Sequence, residues 1–197
     1  LQLANEAGDN VQIAKFNIDI GEAQLSIGNY REAELYFLSA IESANRMKDK
    51  RTVALSQINL GKVYKFKKDL QKALETERKA LRLLFPYNDN DGLGEAHNTI
   101  GDIYREFKDF TNALRNYNKA LVYFEISSNQ EKIATVYHNV GYVFEQQGKF
   151  DNALNYLNRS VNIRLQFGYK GAVYPTYQTI SNVYFKTGNQ VLAYKYL

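Results

Sequence analysis

Gly21, Gly61, Gly101 and Gly141 stand 40 residues apart without a slip, and Ser181 continues the row. Ala33, Ala73, Ala113, Ala153 and Ala193 keep the same step, as do Ala40, Ala80, Ala120 and Ser160. Tyr64, Tyr104, Phe144 and Tyr184 form an aromatic row in which Gln24 departs; Tyr30, Leu70, Phe110 and Phe150 form another, in which Gln190 departs. A period between about 20 and 50 residues is the mark of an array in which each unit packs only on its neighbours. A chain built this way has no single central core, so its 197 residues count units rather than domains.

The stretch Ile133 to Val161 shows what one unit is. Tyr137, Val140, Gly141 and Phe144 share one face of a 3.6-residue helix. Gln146-Gln147-Gly148-Lys149 breaks the pattern, and Gly148 suits the left-handed position that closes a helix. Phe150, Ala153, Leu154, Leu157 and Val161 then repeat the spacing. Gly141, Ala153 and Ser160 are small where their neighbours are large, which lets two backbones approach. The unit is a helical hairpin, with Gly141-type positions expected against Ala153-type positions.

Asn139-Val140-Gly141-Tyr142-Val143-Phe144, Gly148-Lys149-Phe150 and Ala153-Leu154-Asn155-Tyr156 resemble the signature of the tetratricopeptide repeat family. Asn59-Leu60-Gly61-Lys62-Val63-Tyr64 and Asn98-Thr99-Ile100-Gly101-Asp102-Ile103-Tyr104 match it as well. The family's early Trp is absent; Asn17, Gln57, His97, Tyr137 and Tyr177 hold its place. The 40-residue unit is longer than the family's usual ~34. It looks like the long form found in cell-polarity adaptors, kinesin light chains and bacterial peptide-sensing regulators. The resemblance implies an all-α, right-handed superhelical solenoid of antiparallel helix hairpins that binds proteins or peptides without catalysis.

Taken in order, residues 1–10 read as the tail of a preceding unit, with a turn at Ala7-Gly8-Asp9-Asn10. Units follow at about 11–50, 51–90, 91–130, 131–170 and an incomplete 171–197, together one solenoid. First helices are expected near 11–27, 51–67, 91–107, 131–147 and 173–187. Second helices are expected near 30–47, 70–85, 110–127, 150–167 and from 190 onward. Pro175 cannot sit inside a helix but is accepted in a first turn, so the fifth unit should start its first helix late, near Val173, or kink. Leu1 and Leu197 both fall inside second helices by register, so the chain reads as part of a longer protein.

The residues offer little to catalysis. Cys is absent, which removes thiol chemistry and a disulfide framework and is compatible with a reducing, cytoplasmic setting. A periplasmic placement is the alternative for a part of a membrane sensor. No apolar run approaches the ~18 residues of a membrane span. His97 falls in a partner-facing row and His138 one position on, toward the groove; neither has a second ligand at metal spacing. Asn88-Asp89-Asn90-Asp91-Gly92 lacks the first Asp and the final Glu of a calcium loop, since Tyr87 and Asn98 stand there. Gly92-Leu93-Gly94 has neither the third glycine nor the strand of a dinucleotide site. No enzyme, metal or cofactor is expected.

Charge is uneven. Between Arg46 and Arg82 lie 12 Lys or Arg against 4 Asp or Glu, in a chain of net charge only +4. Such a cluster suits an acidic protein or peptide partner. A nucleic-acid track would need basic residues recurring in successive units with aromatics between them, and here the excess is confined to one unit.

The family's groove positions fall here on Lys15, Ile18, Glu22 and Leu25, then Leu55, Ile58, Lys62 and Lys65. They continue through Glu95, Asn98, Asp102 and Arg105, Thr135, His138, Tyr142 and Glu145, and Gln178, Asn182 and Phe185. Ile18 and Ile58 stand where the family's carboxylate-clamping subtype needs polar groups, so that subtype is not expected. The expected site is Ile58, Lys62, Lys65, Asn98, Asp102, Arg105, His138, Tyr142, Glu145, Asn182 and Phe185, with Lys62, Lys65 and Arg105 as an exposed basic patch over Ile58. The other function classes are a self-association module and nucleic-acid binding through the basic second unit; oligomeric state stays open.

Overall fold

The computed structural model describes residues 10–197; the expected turn at Ala7–Asn10 and the tail before it lie outside the described residues apart from Asn10. Ten α-helices follow one another in five antiparallel hairpins among the described residues. They are α1 (Asn10–Ser26) with α2 (Tyr30–Arg46), α3 (Lys50–Phe66) with α4 (Leu70–Leu84), and α5 (Asn90–Glu106) with α6 (Phe110–Ile126). The chain continues with α7 (Gln130–Gln146) and α8 (Phe150–Gln166), then α9 (Tyr174–Lys186) and α10 (Gln190–Lys195). Short 3-10 turns at Phe85–Tyr87 and Lys170–Ala172 interrupt two of the links, and no strand occurs among the described residues.

The turns explain the regular lengths. A left-handed residue recurs every 20 positions, at Gly28, Lys48, Lys68, Asn88, Lys108, Ser128, Gly148, Gly168 and Gly188. Most are followed at once by a capping side chain: Asp49, Asp69, Asp89, Asp109, Asn129 and Asn189 each accept the backbone N–H three residues on. A helix stop and a helix start are thus placed side by side, and seven of the ten helices are 17 residues long. Pro175 sits in the first turn of α9, which begins at Tyr174 and has only 13 residues, as the late start expected there requires.

Within each of the first four hairpins a glycine of the first helix lies under a large residue of the second; Ser181 takes the place in the fifth. A Cβ on Gly21 would meet the Phe37 ring at 2.7 Å, one on Gly101 the Tyr117 ring at 2.6 Å, and one on Gly141 Leu157 Cγ at 2.7 Å. The expected Gly141–Ala153 contact is therefore a minor part of the seam, with the Ala153 carbonyl oxygen at 3.1 Å. The helices cross so that the residue one turn beyond the alanine covers the glycine. The alanines matter differently: Ala33, Ala73, Ala113, Ala153 and Ala193 are all fully buried, where a longer side chain would push the helices apart.

Between units, each second helix packs on the following first helix, and consecutive first helices also touch directly: α1 on α3, α3 on α5, α5 on α7 and α7 on α9. Packing between consecutive second helices is weaker. Closer approach on one side curves the stack, so the first helices line its concave face. Gly101→Ala should cost on the order of 1–3 kcal/mol by overpacking against Tyr117, read as a lower urea midpoint. An unchanged midpoint would mean that the seam is looser than these distances.

Candidate functional site

The concave face carries a polar ladder that joins each first helix to the next. From α1 to α3, Asn59 Nδ2 donates to Glu22 Oε1 at 2.8 Å. From α3 to α5, Lys65 Nζ donates to Asp102 Oδ2 at 2.6 Å, and Lys62 pairs with Glu95 at 3.1 Å. From α5 to α7, Asn139 Nδ2 donates to Asn98 Oδ1 at 3.0 Å, and Lys132 pairs with Glu95. From α7 to α9, Lys186 pairs with Glu145, and His138 Nδ1 shares a hydrogen bond with the Thr176 hydroxyl at 3.2 Å.

Asp102 is the hub of this ladder. It is buried, and besides Lys65 it accepts the Tyr117 hydroxyl at 2.7 Å and Asn139 Nδ2 at 3.4 Å, with Arg105 at 3.8 Å. Burial acts to lower the Arg105 guanidinium, but Asp102, Tyr117 and Glu106 together outweigh that and hold it above its ordinary value. For Glu95, burial acts to raise the carboxyl, and Lys62 and Lys132 overcome it, leaving the group below its usual range.

The expected exposed basic patch is not what forms. The side chains of Lys62 and Lys65 are only 26% and 15% exposed, and each is paired with a carboxylate. Arg105 lies over the Tyr142 ring, 5.1 Å from its centroid, with Asp102 and Glu106 beside it. Ile58 is 3% exposed and packs with Ala54, Ala80 and Leu84, so it is core first and groove floor second. The physical reason is the stagger between neighbouring first helices. Lys65 faces Asp102, one turn before its in-register equivalent Arg105.

The other expected site residues scatter along the ladder. Asn98 is half-buried and held by Asn139; Glu145 is buried against Lys186. Tyr142 is half-buried, while Asn182 is exposed. Phe185 is 40% exposed and sits edge-on to Tyr194. Sequence reasoning missed Asn59, Asn139, Lys132 and Lys186, which supply the partners of Glu22, Asn98, Glu95 and Glu145. Asn59 and Asn139 share a register, which is a readable signal; Lys132 and Lys186 carry none.

Two clefts open on the concave face of the first units. One of about 410 Å³ is lined by Ile18, Leu55 and Ile58 with Glu22, Glu95 and Lys132 among its polar walls. The other, of about 690 Å³, shares Glu22, Asn59, Lys62 and Lys132 with it and adds Leu25, Tyr30 and Phe66. Lys132 of the fourth unit thus closes a groove floored by the first and second.

Beneath the groove lies Glu77, fully buried at the position held by Phe37, Tyr117 and Leu157 in the other hairpins. Both its carboxyl oxygens lack a hydrogen-bond partner, and it lies against Gly61. Burial pushes its carboxyl well up; Lys62 and Lys65 pull the other way without prevailing. A buried neutral acid with unmet oxygens is destabilising.

Profiles of the tetratricopeptide repeat match residues 92–166, and also residues 14–46 and 54–83. The chain belongs to the tetratricopeptide repeat family. No curated protein matches its sequence. Its fold is similar to that of BtubC (BKLC) from P. vanneervenii at 20% identity and a TM-score of 0.79, covering 100% of this chain and 82% of that one. It is similar to a Rap protein complexed with Competence and Sporulation Factor at 19% identity and a TM-score of 0.82, covering 93% of this chain and 52% of that one. A signal transduction ATPase with numerous domains and a tetratricopeptide repeat sensor, from Pyrococcus horikoshii, matches at 19% identity and a TM-score of 0.73, covering 95% and 29%. As a tetratricopeptide repeat protein the chain presents a protein-interaction scaffold. No helix among the described residues is long and apolar enough to cross a membrane, and no group of His, Cys, Asp and Glu among them is placed to hold a metal ion.

Two substitutions test the buried groups. Glu77→Leu, which copies Leu157, should raise stability by about 1–3 kcal/mol at neutral pH; a loss of that size would mean the acid has a partner. His138 behaves oppositely with pH. Burial first, then the nearby Arg164 and Arg105, lower its imidazole from 6.5 to about 4. Between these values the unfolded chain binds the proton and the folded chain does not, so the neutral ring's contribution is lost as pH falls from about 6.5 toward 4. His138→Gln should flatten that part of the urea-midpoint profile, by on the order of 2–3 kcal/mol across the window. Glu77 acts in the opposite sense, favouring the folded chain at low pH, so the slope is read as the difference between variant and wild type. A His138→Gln profile parallel to wild type would contradict the burial.

Proposed function

We propose that the chain is a non-enzymatic receptor for a protein or peptide segment, bound along the concave face, and that it serves as the sensory or interaction region of a larger regulatory protein in the cytoplasm. In this reading residues 11–197 form one solenoid, with units at about 11–50, 51–90, 91–130, 131–170 and 171–197. What supports it is the first-helix face, where two clefts floored by Ile18, Leu25 and Leu55 open in the first units and the half-buried Tyr142 and exposed Asn182 and Phe185 stand in the later ones. Such a surface offers side-chain pockets and backbone hydrogen-bond partners to an extended or helical segment. The neighbours named as a complex with Competence and Sporulation Factor and as a sensor support a signalling role by fold alone. The paired state of Lys62, Lys65 and Arg105 removes the support for an acidic partner and for nucleic acid along this face.

A random 12-residue peptide selection against the immobilised chain tests the reading. Tyr142→Ala with Asn182→Ala should weaken the selected peptides at least tenfold at a temperature where circular dichroism shows the variant folded, while Arg82→Glu on the second-helix side should not. The reverse pattern would move the site to the convex face. Sedimentation at several concentrations separates this reading from self-association, since a receptor of this kind stays monomeric without its partner.

A further inference from the structure

The groove of the first three units has a charge imbalance opposite to that of the chain. Of the groups lining the 410 Å³ cleft, Glu22, Asp89, Asp91 and Glu95 are carboxylates and Arg51, Lys62 and Lys132 are cations. Every cation is committed: Arg51 to Asp89 at 2.6 Å, Lys62 to Glu95 at 3.1 Å, and Lys132 to the same Glu95. Glu22 and Asp91 pair with no cation among the described residues. Glu22 accepts one hydrogen bond, from Asn59. Asp91 accepts from Ser127 Oγ at 2.8 Å and Asn129 Nδ2 at 3.0 Å, both on the same oxygen. Both acidic residues are exposed, while Leu55, Ile18 and buried Ile58 supply an apolar floor.

An anionic group entering this cleft meets two carboxylates that are in no ion pair, Asp91 having only the more distant field of Lys132, which is already bound to Glu95. To gain a partner it must strip Lys62 or Lys132 from Glu95, leaving a mostly buried carboxylate unpaired, which is strongly unfavourable. A cationic group meets the opposite situation. It neutralises Glu22 or Asp91 while displacing only water, and its aliphatic neighbours cover the Ile18–Leu55 floor. The excess of cations in the second unit does not alter this, because the remainder are paired or lie elsewhere: Lys65 on Asp102, Lys67 and Lys72 on Glu34, Lys68 on Glu106, and Arg78, Lys79 and Arg82 exposed on α4.

We propose that the cleft walled by Glu22, Asp91 and Lys132 takes a segment carrying a Lys or Arg side chain next to an aliphatic or aromatic anchor, selecting against acidic segments. This rests on the concave-face reading above and adds the polarity of its ligand. The sequences recovered in the random-peptide selection are the test. They should be enriched in Lys or Arg adjacent to Leu, Ile, Val or Phe. Their affinity should fall with rising salt and drop at least tenfold in the Glu22→Gln, Asp91→Asn double variant, whose melting curve is checked by circular dichroism. Acidic sequences that are lost on Leu55→Ser would overturn this polarity and leave the concave-face reading standing. Basic sequences indifferent to the double variant would overturn it too. Sequences lost only on Arg82→Glu, or no sequences at all, would overturn both readings.

Discussion

The close approach of a glycine in one helix to a large side chain in the next is the contact on which this structure depends. At Gly21, Gly101 and Gly141 a single added carbon would sit within 3 Å of Phe37, Tyr117 or Leu157. That seam fixes how each hairpin closes. The left-handed residue that recurs every 20 positions fixes where each helix ends. With both set, the first four hairpins are alike and stack with a similar stagger. Groups about 37 or 38 residues apart then become neighbours, as in Glu22–Asn59, Lys65–Asp102 and Lys68–Glu106. The concave ladder is therefore a consequence of hairpin geometry, and the groove's electrostatics follow from it.

Much of the fold was legible because it depends on local rules. Helix limits fell within about a residue or two of expectation at ordinary turns, where a left-handed residue and an Asp or Asn cap stand together. The short α9 was legible from Pro175 alone. The ladder was not, because a period of 40 places Lys65 beside Arg105 on paper, whereas the stagger places it on Asp102. A one-turn slide between helices leaves no trace in a register of identical spacings, yet it converts a repulsive row into an ion pair. Glu77 was visible in principle as the one acid in a row otherwise made of Phe37, Tyr117, Leu157 and Leu197. Its cost depends on both oxygens lacking partners, which only three-dimensional packing decides.

For recognition, a groove whose cations are already paired differs from one that merely contains cations. Net charge and clustering along the sequence describe long-range attraction, while the contact surface presents whatever the internal pairs leave over. Here Glu22 and Asp91 are left over, and the unpaired basic residues of the second unit lie on α4. Apolar floor, polar wall and residual charge are contributed by different units, so binding specificity is a property of the stack rather than of any single repeat.

The concave ladder requires its cations to be structural partners rather than free ligand contacts. A double-mutant cycle on urea unfolding, with Lys65→Met, Asp102→Asn and the pair, measures this directly. Because the Lys65 and Asp102 side chains are only 15% and 12% exposed, the coupling should be at least about 1 kcal/mol, with each single variant more destabilised than a surface substitution. A coupling near zero, with Lys65→Met alone harmless, would show that Lys65 is free in solution and would contradict the ladder.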